Sequence, residues 1–121
     1  MKIWRAFGLI LTLSVSSAPA HASDSDASGY LTTGKLIAMC NLKSEALGYC
    51  VGFIRGVADT LDTNRVMQHH QQCVPDDEDD SQLFRVFMKY EAKHPEQQQE
   101  QPATTAVILA LADTFSCGRA E

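Results

Sequence analysis

The stretch Gly48-Tyr49-Cys50-Val51-Gly52-Phe53-Ile54-Arg55-Gly56-Val57-Ala58-Asp59 constrains the fold of this chain more than any other. Gly48, Gly52 and Gly56 recur every fourth residue, which at about 100° per residue places them on one ridge of an α-helix. Cys50, Phe53, Ile54, Val57 and Leu61 fall on the opposite face. A glycine in a helix interior costs about 1 kcal/mol relative to alanine. A run of such glycines predicts that another helix, or a partner, comes close along the ridge. It also predicts that the rest of the chain packs around this helix. The ridge serves either internal packing alone or a homodimer as well. Arg55 and Asp59 lie four apart beside it. They read either as a surface ion pair worth less than about 1 kcal/mol, or as a pair that fixes the register of a helix–helix contact.

The N-terminus carries Lys2 and Arg5, then an apolar run from Ala6 to Val15, then small residues ending Ala20-His21-Ala22. That order is a secretory signal peptide with an A-x-A cleavage site. The apolar run is shorter than the roughly 20 residues a membrane span needs. Cleavage after Ala22 leaves Ser23 to Glu121, and a membrane-inserted mature chain is not expected. Loss of Lys2 and Arg5 moves the net charge from −5 to −7. A chain this acidic lacks the basic stripe that nucleic-acid binding requires. It suits a basic partner surface instead.

Cys40, Cys50, Cys73 and Cys117 all lie in the exported part. An even count in a short exported chain predicts disulfides, which supplement a small core. The helical pattern chooses among the pairings. Thr32 or Thr33 caps a short helix that runs to about Cys40, with Leu36, Ile37, Met39 and Cys40 as its apolar residues. The glycine-ridge helix runs from about Glu45 to Asn64, or on to His70. A loop from Gln71 to Asp80 holds Cys73 and Pro75 and ends in the run Asp76-Asp77-Glu78-Asp79-Asp80. Ser81 is placed to cap a third helix, whose apolar face is Leu83, Phe84, Phe87 and Tyr90. Pro95 ends it near His94. After a glutamine-rich linker, Pro102 opens a fourth helix with the stripe Val107, Ile108, Leu111 and Phe115, and Gly118 suits its stop. The prediction is an all-α fold, a small four-helix up-down bundle with two disulfides. The domains are a signal peptide over 1–22, a leader over 23–31 and the helical domain over 32–121. In that topology Cys40 and Cys50 flank a tight connection, and the ends of the second and fourth helices meet. The expected bonds are Cys40–Cys50 and Cys73–Cys117.

Neither catalysis nor a metal site is expected. A catalytic thiol has to be unpaired, and four cysteines pair without remainder. His69, His70, Cys73 and Asp76 cluster in sequence, but a zinc site usually presents two ligand pairs and no second pair follows. The acidic run lacks the alternating ligands and central glycine of a calcium loop. No cofactor is expected. The histidines at 69, 70 and 94, with the acidic run, would also suit an acid-stress chaperone of the periplasm.

The sequence resembles the Rap/Tai family of type VI secretion immunity proteins. The resemblance rests on the short helix ending at Cys40 and the Gly48–Asp59 block. It also rests on Cys73-Val74-Pro75, Lys89-Tyr90 with His94-Pro95-Glu96, and the segment from Pro102 to Phe115 and Cys117. It implies a small all-α periplasmic protein, often a homodimer, that is an inhibitor and not an enzyme. Its implied partner is a peptidoglycan-cleaving amidase whose active-site cleft it obstructs. On that footing two loops are the expected contacts. One is Asp76, Asp77, Glu78, Asp79 and Asp80, whose charge would aid association with a basic rim. The other is Glu96, Gln97, Gln98, Gln99, Glu100 and Gln101, expected at the opposite end of the subunit. Features outside the family pattern are the His69-His70-Gln71-Gln72 extension, the full acidic run and the tail from Gly118 to Glu121. Loops can vary while a core is kept, so partner specificity is expected there.

Overall fold

The computed structural model describes residues 30–97 and 100–117. The signal peptide, most of the leader, Gln98, Gln99 and the tail from Gly118 lie outside the described residues. Four α-helices follow in order: α1 (Thr33–Cys40), α2 (Glu45–Met67), α3 (Asp80–Lys93) and α4 (Ala103–Phe115). A single 3-10 turn, Pro95–Gln97, sits between α3 and α4. No strand is present among the described residues, only an isolated bridge between Thr32 and Pro102. The chain is all-α, and both expected disulfides, Cys40–Cys50 and Cys73–Cys117, are formed.

Local chemistry explains the helix limits. Thr32 caps α1, its hydroxyl accepting from the Lys35 amide. The cap of α3 is Asp79, two residues ahead of the expected Ser81. Asp79 accepts from the Gln82 backbone amide at 2.8 Å, and the Gln82 side chain accepts from the Asp79 amide at 2.7 Å. This reciprocal pair satisfies two amides that a helix start otherwise leaves open. Ser81 instead donates to Asp79 Oδ1 at 2.7 Å. α2 ends at Met67, between the two expected limits, and His69 turns the chain with φ 63°. Ser116 ends α4 in the left-handed region at φ 57°, which closes the helix ahead of Gly118.

The core follows the helix faces. Phe87, Leu36, Ile54, Leu83 and Leu111 are its largest fully buried apolar side chains. In α3, Leu83, Phe87 and Glu91 recur at four-residue steps and all are buried, so the inward stripe ends on a carboxylate. α4 buries Ala103, Ala106, Val107, Ala110 and Leu111. Its alanines let neighbouring helices approach closely. α2 touches all three other helices, as the ridge argument requires, and so does α4.

The glycines do something else. Gly48, Gly52 and Gly56 are exposed, and nothing lies within 4 Å of where a Cβ would stand on each. Among the described residues no helix packs on the ridge. The small residues buried between helices are Ala58 of α2 and Ala103, Ala106 and Ala110 of α4.

The ends of the helices are sewn together in pairs. The Thr33 amide donates to the Gln101 carbonyl and the Ala103 amide to the Leu31 carbonyl, both at 2.8 Å. The start of α1 is therefore fixed to the start of α4. Cys40 ties the end of α1 to the second turn of α2. α2 and α4 finish at the same end, joined through Cys73–Cys117.

Candidate partner-binding site

The segment after α2 is held at several points. Asp62 Oδ1 accepts from the amides of Cys73 and Val74, at 2.5 and 3.1 Å. Arg65 donates from Nε to the Gln71 carbonyl at 2.8 Å and from Nη1 to the Cys117 carbonyl at 2.6 Å. The Cys73–Cys117 bond fixes the same place covalently, and Cys73 and Val74 are buried. Further on, Arg55 donates from Nε to Asp80 Oδ1 at 2.6 Å and from Nη2 to the Glu78 carbonyl at 3.0 Å. The loop is ordered before any partner arrives, which reduces the entropy lost on binding.

These contacts divide the acidic run. Asp79 is the helix cap, and Asp80 is the ion-pair partner of Arg55. Asp76 and Asp77 are exposed, and Glu78 is half-buried with its carbonyl engaged by Arg55. Hydrogen bonds from Ser81 and the Gln82 amide hold the Asp79 carboxyl below its usual range. The expected pair Arg55–Asp59 exists at 3.8 Å, but the closer partner of Arg55 is Asp80. Arg55 is thus a contact between α2 and the start of α3. Asp59 remains two-thirds exposed.

The structure also places Arg55 and Asp59 in the same groove as Asp76. This groove, about 500 Å³, runs between the second half of α2 and the loop after it. Val66, Met67, Val74 and Pro75 give it apolar lining. Met67 is 75% exposed. Sequence reasoning passed over Asp62, Arg65, Val66 and Met67. Asp59, Asp62 and Arg65 do recur at three-residue steps, which puts them along one side of α2. That signal was available, but what it meets lies beyond the helix.

The second expected loop lies at the far end of α3, about 21 Å along the helix axis. His94 packs against Tyr90 with ring centroids 4.3 Å apart, and its Nδ1 stands 3.5 Å from Glu96 Oε1, an ion pair when the imidazole is protonated. The Gln101 carbonyl accepts from the Thr33 amide and from Thr33 Oγ1. Gln101 is thus half-buried in the seam between α1 and α4, whereas Glu96 and Glu100 are exposed. Nearby, burial pushes the Glu91 carboxyl above its usual range, opposed by His94 and reinforced by Glu96. Burial also raises the Tyr90 hydroxyl, with Asp113, Glu91 and Glu96 adding to the effect.

Among the described residues no three potential metal ligands come together, and every cysteine is disulfide-bonded. A small helical domain, braced by disulfides and presenting a pre-ordered charged loop, is a protein-binding module in form. The family model for Rap1a immunity proteins matches residues 32–117, from the cap of α1 to the last disulfide cysteine, and the chain belongs to that family. No curated protein and no solved structure matches it. It is therefore an immunity protein, whose family implies a secreted toxin as partner.

Proposed function

We propose that this chain is exported to the periplasm, with cleavage after Ala22, and there binds a peptidoglycan-cleaving amidase delivered by a type VI secretion system. It blocks the active-site cleft of the toxin by occupation and performs no chemistry. Family membership supports the toxin partner. The observation that carries the contact is the clamped loop with Asp76 and Asp77 exposed. A rigid acidic surface suits a cleft with a basic rim, and its charge speeds encounter.

The decisive experiment is to capture the partner from periplasm, or to express the neighbouring gene's product where that proves to be an exported amidase, and measure peptidoglycan hydrolysis with and without the mature chain. Stoichiometric inhibition is expected, and full hydrolysis with excess chain present would sink the reading. Replacing Asp76, Asp77 and Glu78 together by alanine should slow association about tenfold at low ionic strength and flatten its salt dependence. Asp79 and Asp80 are left in place because they cap α3 and hold Arg55.

A homodimer through the glycine face of α2 belongs to the same proposal. Tyr49, next to Gly48 in sequence, is about half-exposed and stacks with Phe53, with centroids 6.4 Å apart. Gly52→Leu should abolish such a dimer in sedimentation equilibrium while leaving the monomer folded.

A further inference from the structure

We propose that the groove between α2 and the loop after it seats an arginine side chain projecting from the toxin, an inference that rests on the proposed function above. The groove combines acidic and apolar lining residues, Asp59 on the helix wall and Asp76 on the loop wall. Val66, Met67, Val74 and Pro75 supply the apolar part.

The charges near the groove are not equally available. Asp62 is spent on the Cys73 and Val74 amides. Arg55, the cation at the groove, is spent on Asp80 and the Glu78 carbonyl. Asp59 meets that guanidinium only at 3.8 Å. Asp76 makes no hydrogen bond or ion pair among the described residues. The groove therefore offers two carboxylates in excess of its cation, and only a positively charged occupant complements it.

The lining narrows the choice further. Arginine buries an aliphatic stem and carries a planar group with five donors, able to address carboxylates on two walls together. A strongly hydrated ammonium uses the apolar lining less well. Methionine adapts to the shape of what it covers, and Met67 is the most exposed of the large apolar side chains described. The volume, about 500 Å³, accepts one long side chain with some of its backbone. The Asp62 contacts and the Cys73–Cys117 bond hold both walls in place. A buried arginine in a pre-formed recess is a common anchor of protein interfaces.

The test uses isotope-labelled full-length mature chain and a capped Gly-Arg-Gly tripeptide as probe, with capped Gly-Gln-Gly and spermidine as controls. The arginine peptide should shift the Met67 methyl resonance and the amides of 59–67 and 72–76 saturably. The glutamine peptide should not. Asp59→Asn with Asp76→Asn should weaken the arginine peptide at least about tenfold, the worth of a charge-assisted hydrogen bond. Asp76 makes no contact that holds the fold, and Asp59 meets Arg55 only at 3.8 Å while Asp80 keeps that guanidinium in place. Equal shifts from the glutamine peptide, or unchanged binding in the double variant, overturn the proposal. So does spermidine saturating the groove more tightly than the peptide, or a change of oligomeric state in the double variant, which would assign the groove to a polyamine or to a second copy. The amidase assay separates the two readings. A wild-type chain that binds the peptide but does not inhibit removes the proposed function and leaves the groove's preference for arginine. A double variant that loses the peptide yet inhibits fully removes the arginine seat and leaves the proposed function.

Discussion

Glu91 is the side chain with most to say about pH. It is 1% exposed at the end of the inward stripe of α3, and burial raises its carboxyl above the ordinary range. The folded state therefore holds the proton more tightly than the unfolded chain. Its contribution is fully present below the ordinary glutamate pKa of about 4.3 and is lost as pH rises through the raised folded value. Glu91→Gln should consequently raise Tm at about pH 7, and the difference from wild type should shrink toward about pH 4 when thermal melts are compared. Asp79 works in the opposite sense. Its lowered pKa makes its contribution present above the ordinary aspartate range and lost as pH falls through the folded value. Asp79→Ala should lower Tm at neutral pH, whereas Ser81→Ala should lower it less, because the backbone bonds of the cap survive. The hydroxyl that follows the acidic run points to Ser81 as the cap, whereas the cap is Asp79. The Gln82 side chain, which completes the reciprocal pair, decides for Asp79. The main partner of Arg55 was illegible for a related reason: Asp80 is 25 residues away, beyond the reach of any helical spacing rule.

At the scale of elements, two stripes of small residues have different uses. Ala103, Ala106 and Ala110 of α4 are fully buried, while the glycines of α2 face open space. Gly52→Ala should therefore stabilise the isolated monomer by about 1 kcal/mol, measured by denaturant unfolding at concentrations where no dimer forms. A loss of similar size would mean that the backbone there is closely covered. Four-residue periodicity put the glycines on one face of a helix, and that much holds. It could not say which face lay inside, because glycine carries no hydrophobic signal of its own. The helix limits were legible within a few residues, since capping groups, Pro95 and Pro102 act locally. The pairing of the cysteines was legible too, because in a bundle of short connections helix order alone decides which ends meet.

The whole molecule is a bundle with its proposed toxin contacts concentrated at one end. α2 and α4 finish beside the loop, and the Cys73–Cys117 bond joins them across 44 residues of sequence. Chain-entropy reasoning gives that crosslink about 4 kcal/mol, against about 3 kcal/mol for Cys40–Cys50. Replacing Cys73 and Cys117 by serine should thus lower the unfolding free energy by about 4 kcal/mol in urea titrations. The groove was the least legible feature, since its walls come from residues 55–67 and 72–76 and exist only once the loop folds back on the helix. Arg65 reaches both flanks of that closure, the Gln71 carbonyl two residues before Cys73 and the carbonyl of Cys117 itself. These bonds involve backbone oxygens and do not require the sulfur–sulfur bond. Arg65→Ala should therefore lower the share of chain that recovers the Cys73–Cys117 bond on oxidative refolding, read by mass mapping of the disulfides, and an unchanged share would show that the guanidinium has no part in the pairing.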